Sequence, residues 1–230
     1  MGLWLPDIDY EYPALMSPRS QVRARRKTVN WAHPLADKLE IDLDFSEMVC
    51  LVTGQKITGG QTPVIGAHGA GHYSSGTANA FSGITGPVLS NNPFSLRVVC
   101  SGLLSWVNSS IVYIAPWDSH IIIGEDNNKQ LYGTAGGSSS PAQTGYSDSE
   151  EVELFLTSDG TTARLSINGV EKTTVADARA VTTAASLIAN SFPTTTTDLN
   201  YASVSLWSRQ LSADEIAYLY NEKYAYRASL

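Results

Sequence analysis

From Leu39 to Phe45 apolar and acidic positions alternate, with Leu39, Ile41, Leu43 and Phe45 set against Glu40, Asp42 and Asp44. Successive side chains of a strand point to opposite faces, so this period of two predicts a β-strand with one apolar face. The β signal returns at residues 94–100, 110–115 and 120–124, which are rich in Val, Ile and other strand formers. Residues 152–157, 163–167 and 170–175 read as a meander joined by Asp159-Gly160 and Asn168-Gly169. Such pairs mark hairpins because the tight turn needs positive φ. After an alternating segment at 203–207 the period becomes helical. Ser212 with Glu215 three residues on predicts a capping box, and Ile216, Leu219 and Tyr220 fall on one helical face.

Between these elements the chain is punctuated by breakers. Pro6, Pro13, Pro18 and Pro34 forbid a long helix or a central strand in residues 1–36, which are predicted to form an extended arm. Residues 37–230 are predicted to form one domain, long enough to bury a core without disulfides or metals. Residues 54–90 are rich in Gly, Ser and Thr and predict short strands with long loops, and 133–150 read as a loop of low apolar content. The expected architecture is all-β, with a short C-terminal helix and an N-terminal arm.

Charge sharpens the division. The formal net charge is −7, yet five of the 15 Lys and Arg residues (Arg19, Arg23, Arg25, Arg26 and Lys27) lie in residues 17–31 with no acid among them. An acidic body therefore carries a basic arm. It fits a solvated tail or an anchor on an acidic protein surface. Nucleic acid is not expected, because the body repels phosphate and the arm offers only Trp31 to stack on a base. Cys50 and Cys100 sit in apolar runs, where a free thiol acts as a small hydrophobe; a single bridge is open, a disulfide framework is not. No positive stretch leads into an apolar one at the N-terminus, and no run approaches the ~20 apolar residues of a membrane helix. A soluble protein made in the cytoplasm is expected.

The closing segment, with Trp207, Leu211-Ser212, Glu215-Ile216 and Leu219-Tyr220-Asn221, resembles the end of the laminin-G-like branch of the concanavalin A-like lectin/glucanase family. The Asn168-Gly169-Val170 hairpin and Phe94-Ser95-Leu96-Arg97-Val98 are similar to other elements of that branch, so the resemblance spans roughly residues 38–224 and implies a concanavalin A-like jelly-roll sandwich of two antiparallel sheets. The lead-in, Arg19 then Asn30-Trp31-Ala32-His33-Pro34-Leu35 then Asp44 then Leu51-Val52-Thr53-Gly54, resembles that of laminin-G-like proteins encoded among tailed-bacteriophage structural genes. This resemblance implies a non-enzymatic virion protein, a capsid or tail decoration made in the host cytoplasm. Arg19, Arg23, Arg25, Arg26, Lys27 and Trp31 would contact phage capsid or tail proteins, and the outward sandwich would bind bacterial surface glycans. The alternative is a glycan-binding module or a degenerate glucanase unrelated to a virion. Self-association is left open.

Candidate chemistry is sparse. Laminarinase-type glucanases of the family carry a Glu-x-Asp-x-Glu strand, which Glu40, Asp42 and Asp44 approach. A retaining mechanism needs carboxyls ~5–5.5 Å apart, whereas strand positions i and i+4 lie roughly 13 Å apart at the backbone, and Asp44 is a methylene short. The expectation is the wet face of an outer strand, with no catalytic residue. His68 and His72 flank glycines and predict a loop rather than a zinc-binding helix. No Gly-x-Ser-x-Gly elbow appears. Glu125, Asp126 and Asn128 are of a type that suits calcium and equally suits a polar turn. The family's Gly-x-Ile-Asp is replaced here by Asp198-Leu199-Asn200-Tyr201, so no cofactor is carried over. Trp117 and Tyr132 are the aromatic candidates for ligand contact, while Trp207 and Tyr220 match core positions of the family.

Overall fold

The structure, a computed structural model, describes residues 27–58, 64–65, 71–72, 81–89, 92–101, 109–115, 121–125, 130–136, 139–141, 151–179, 184–189 and 200–229. The strands are β1 (Lys27–Val29), β2 (Leu39–Asp44), β3 (Val49–Cys50), β4 (Val64–Ile65), β5 (Gly71–His72), β6 (Phe81–Val88), β7 (Phe94–Ser101), β8 (Ser109–Ala115), β9 (Ile121–Glu125), β10 (Leu131–Ala135), β11 (Ser139–Pro141), β12 (Val152–Ser158), β13 (Thr162–Ile167), β14 (Val170–Ala176), β15 (Ala184–Ala189), β16 (Asn200–Trp207) and β17 (Arg227–Ser229). Among the described residues one α-helix, α1 (Ala213–Asn221), follows β16. A seven-stranded sheet runs β14-β13-β12-β7-β16-β2-β3 and a six-stranded sheet runs β11-β10-β9-β8-β15-β6. Pairing within both is antiparallel.

Alternation explains the sandwich. Ile41 and Leu43 of β2, Leu96 and Val98 of β7, Leu154 and Leu156 of β12, and Val204 and Leu206 of β16 bury one face of the large sheet. They form one cluster with Val112, Ile114, Ile121, Ile123 and Leu131 of the small sheet. Removing this apolar area from water is the main driving force for the two sheets to meet. Cys50 and Cys100 are both buried and free.

The large sheet has a second apolar layer on its other face. Val29, Leu35, Ala36, Leu39, Phe155, Trp207, Leu211, Ile216, Leu219 and Tyr226 form it. Its cover consists of residues 27–36, α1 and the C-terminal segment, with β1 paired to β17 as a two-stranded clasp. Residues 27–36, read from sequence as part of the arm, therefore pack with the folded body. The physical cause is legible in contacts. The Trp207 indole Nε1 donates to the Leu35 carbonyl at 2.7 Å, and its ring meets Tyr226 edge-on at 5.7 Å. Pro34 opens a 3-10 turn (Pro34–Ala36), where its missing amide hydrogen costs nothing.

The helix forms as the capping signature predicts: Ser212 Oγ accepts from the Glu215 amide at 3.2 Å, and Glu215 Oε2 accepts from the Ser212 amide at 2.8 Å. Ile216 and Leu219 are buried, but Tyr220 is 39% exposed and is not the core residue expected. The Asn168-Gly169 turn has φ of 50° and 77°, as its hairpin requires. The loop expected from residue 133 instead begins inside β10 and includes β11. Gly133 hides that strand from an apolar count, because it faces the core so closely that a Cβ would lie 2.7 Å from Leu156 Cδ1.

Candidate functional site

The outward positions of the large sheet's central strands are polar, as alternation demands, but they are roofed over. Asp42 and Asp44 are 0% and 1% exposed, and β2 lies between β16 and β3. This overturns the expectation of a wet face on an outer strand. Arg227, delivered by β17, donates from Nε and Nη2 to Asp42 at 2.8 and 2.7 Å and from Nη1 to Asp44 at 3.0 Å. Lys27 Nζ donates to Asp44 Oδ2 at 2.7 Å, and Ser205 Oγ and Tyr226 OH add bonds to Asp42 at 2.9 and 3.2 Å. Burial pushes the Asp44 carboxyl up, but Arg227, Lys27 and Ser46 outweigh it and hold the group below its ordinary value. A carboxylate kept ionised and saturated with donors suits a structural ion pair rather than acid/base work. Alongside, Arg97 Nε pairs with Glu153 Oε1 at 2.5 Å, with its guanidinium 5.4 Å from the Tyr224 ring centre.

The roof stops short at the β12-β13-β14 end and leaves a cleft of about 390 Å³. Its floor is Thr157, Arg164, Ser166 and Glu171, and its wall is the turn and first residues of α1 from Gln210 to Ile216. Thr157 and Ser166 are 2% and 3% exposed, and among the described residues no hydrogen bond engages either hydroxyl. Arg164 Nη1 donates to Asp159 at 3.1 Å, and its Nε lies 3.9 Å from Glu171. Arg209 grips Glu215 with two bonds of 2.8 and 3.0 Å. Burial raises the Glu215 carboxyl, but those bonds and the Ser212 cap bring it below its usual range. At one end Tyr220 packs on the hairpin turn, where a Cβ on Gly169 would sit 3.1 Å from Tyr220 Cβ. The cleft thus offers a fixed set of donors and acceptors on rigid elements to a small polar ligand.

Of the residues expected from sequence, the described ones, Lys27, Trp31, Glu125 and Tyr132, do not line this cleft. Lys27 pairs with Asp44 while its side chain stays 39% exposed, a position set by the pairing of β1 with β17. Trp31 stands 59% exposed in the turn after β1. Tyr132 lies half-buried on β10, opposite Gly124 of β9 and Pro141 of β11. Glu125 ends β9. Arg19, Arg23, Arg25, Arg26, Trp117, Asp126, Asn128 and His68 lie outside the described residues, and His72 ends β5. Among the described residues no three His, Cys, Asp or Glu side chains are grouped to hold a metal ion, and no helix is long and apolar enough to cross a membrane. Sequence reasoning missed Thr157, Arg164, Ser166 and Glu171. Their one signal is the outward phase of the hairpin strands, which any solvated sheet face shares.

No protein-family model matches the chain, and no curated protein sequence matches it either. Solved structures do. The Trypanosoma rangeli sialidase in complex with 2,3-difluorosialic acid aligns with a TM-score of 0.58 at 14% identity, over 82% of this chain and 33% of that one. The binding domain of botulinum neurotoxin DC in complex with SialylT aligns at 0.60 and 12% identity, over 81% of this chain and 52% of that one. Domain 4 of AbnA, a GH43 extracellular arabinanase from Geobacillus stearothermophilus, in complex with arabinotriose, aligns at 0.57 and 16% identity, over 79% of this chain and 98% of that one. The chain thus spans a third of the sialidase and about half of the toxin domain. At these identities the similarity establishes the β-sandwich fold.

Proposed function

We propose that the protein is a non-catalytic carbohydrate-binding β-sandwich module. The observation that carries this reading is the alignment with the arabinanase domain, a separate unit matched over 98% of its length and solved with arabinotriose bound. The toxin binding domain supports it from a second direction. The strand that would carry glucanase carboxylates supports the non-catalytic part, since Asp42 and Asp44 are locked to Arg227. A glycan array probed with the full chain tests the reading: saturable binding to a defined set of oligosaccharides is expected, with no release of reducing sugar from laminarin. Hydrolysis, or the absence of any glycan binding, overturns it.

The finer reading puts the module on a tailed-phage particle, synthesised in the host cytoplasm and presented to bacterial surface glycans. Its support is the resemblance of the lead-in and the acid-free basic run Arg19, Arg23, Arg25 and Arg26, which suits an acidic protein surface. The experiment is co-sedimentation of phage particles with the full chain and with a chain beginning at Lys27. Binding by the full chain alone is expected. Equal behaviour of the two chains removes the anchor.

A further inference from the structure

We infer that the cleft between the β12-β13-β14 strands and the start of α1 is a saccharide site, and that it takes a neutral sugar. The inference rests on the carbohydrate-binding reading and names the place and ligand class.

Two hydroxyls at the cleft have no hydrogen-bond partner among the described residues. Thr157 and Ser166 are almost completely buried, line the cleft, and have no intramolecular side-chain hydrogen bond among the described residues. Neither hydroxyl is sealed off from solvent, so each can exchange a water in the cleft for a hydroxyl of a ligand. A sugar hydroxyl both donates and accepts. The wall and floor match that duality, with Arg164 as donor, Glu171 as acceptor, and Gln210, Thr157 and Ser166 as both.

Charge selects the ligand class. Arg164 already faces Asp159 and Glu171, and Arg209 is taken by Glu215. Among the described residues no cation at the cleft is left without a carboxylate, and two carboxylates, Glu171 and Glu215, line it. An acidic sugar would bring its carboxylate against them without a free counter-charge, which disfavours it. A neutral sugar meets no such penalty.

Shape agrees with both. Tyr220 lies one turn beyond Ile216 on the helix, abuts Gly169 at the end of the cleft, and is 39% exposed. An aromatic face beside a polar floor suits the mixed C–H and hydroxyl surface of a sugar ring. Gly169 is required twice over, by its φ of 77° and by the nearness of Tyr220. Strands below and a capped helix alongside fix the groups before the ligand arrives, which limits the ordering cost of binding.

The test is an array of neutral and sialylated oligosaccharides, arabinotriose among them, read with the full chain and its variants T157V, S166A, R164A and Y132A. Amide chemical shifts of the full chain are then followed during titration with the strongest ligand found, a readout independent of any variant's folding. We expect neutral glycans to bind, T157V and S166A to weaken binding about tenfold each, R164A by about tenfold or more, and Y132A to retain it. Shifts should concentrate at Gly169, Glu171 and Ala213. Binding that survives all three cleft variants with shifts elsewhere, binding lost only in Y132A, or binding confined to sialylated glycans overturns the cleft assignment while leaving a carbohydrate-binding module. No glycan binding by the unaltered chain overturns the module reading itself, and the cleft with it.

Discussion

Arg227 reaches from the C-terminal strand to two aspartates more than 180 positions earlier and binds both at 2.7–3.0 Å. Removing one side of a buried ion pair strands the other, a loss of about 3–5 kcal/mol. Arg227→Ala should lower the urea unfolding free energy by about that amount. The same site sets an acid limit. Because the folded state holds Asp44 below its ordinary value, its contribution is present above the unfolded aspartate pKa of about 3.9 and is lost as pH falls through the folded value. Thermal midpoints of the wild type should therefore fall below about pH 4, and those of Asp44→Asn should fall less steeply. Trp207 of the outer layer and Trp31 in the turn after β1 separate packing from exposure. Trp207 is fully buried while Trp31 is 59% exposed. Trp207→Ala should cost about 3–5 kcal/mol, and Trp31→Ala no more than about 0.5 kcal/mol, both read by denaturant titration.

At the scale of elements, α1 does two jobs through one sequence signature. Ser212 and Glu215 satisfy each other's backbone amides, and Ile216 and Leu219 seal the outer layer. Ser212→Ala should cost about 1 kcal/mol by thermal denaturation, the usual worth of an N-cap. The loss should extend to the cleft, because Ala213 and Glu215 form its wall. The hairpins are equally plain. Asp159-Gly160 and Asn168-Gly169 announce β12, β13 and β14 because few residues tolerate positive φ. β10 is obscured because Gly133 and Ala135 take two of its three core-facing positions beside Leu131. Tyr220 obeys the helical period but projects past the edge of what α1 covers, so its exposure is not readable from spacing.

For the whole molecule, the decisive event is the return of both ends of the described chain to the outer face of the large sheet. β1 and β17 pair there, and Leu35 accepts the Trp207 indole hydrogen. A chain beginning at Lys27 should unfold cooperatively with nearly full stability. One beginning at residue 37 loses β1, Leu35 and Ala36 and uncovers Trp207, and should lose about 3 kcal/mol or more. Thermal unfolding with a dye that reports exposed apolar surface distinguishes the two, and equal stability would contradict the clasp.

The period-two runs, the glycine turns and the capping box determined strands, hairpins and helix, since each depends on contacts within a few residues. From them the all-β class and the apolar face of its strands followed. Which polar positions are buried was decided only by tertiary structure. Glu40, Asp42 and Asp44 alternate as a solvated face would, and nothing near them announces that Arg227 and Lys27 will cover it. The same holds for the cleft. Thr157 and Ser166 are ordinary outward strand residues in sequence, and the place where the cover ends depends on how far a helix some 50 residues away extends across the sheet. Local order is written in the chain one turn at a time, whereas burial of a polar face depends on what the fold brings to lie on it.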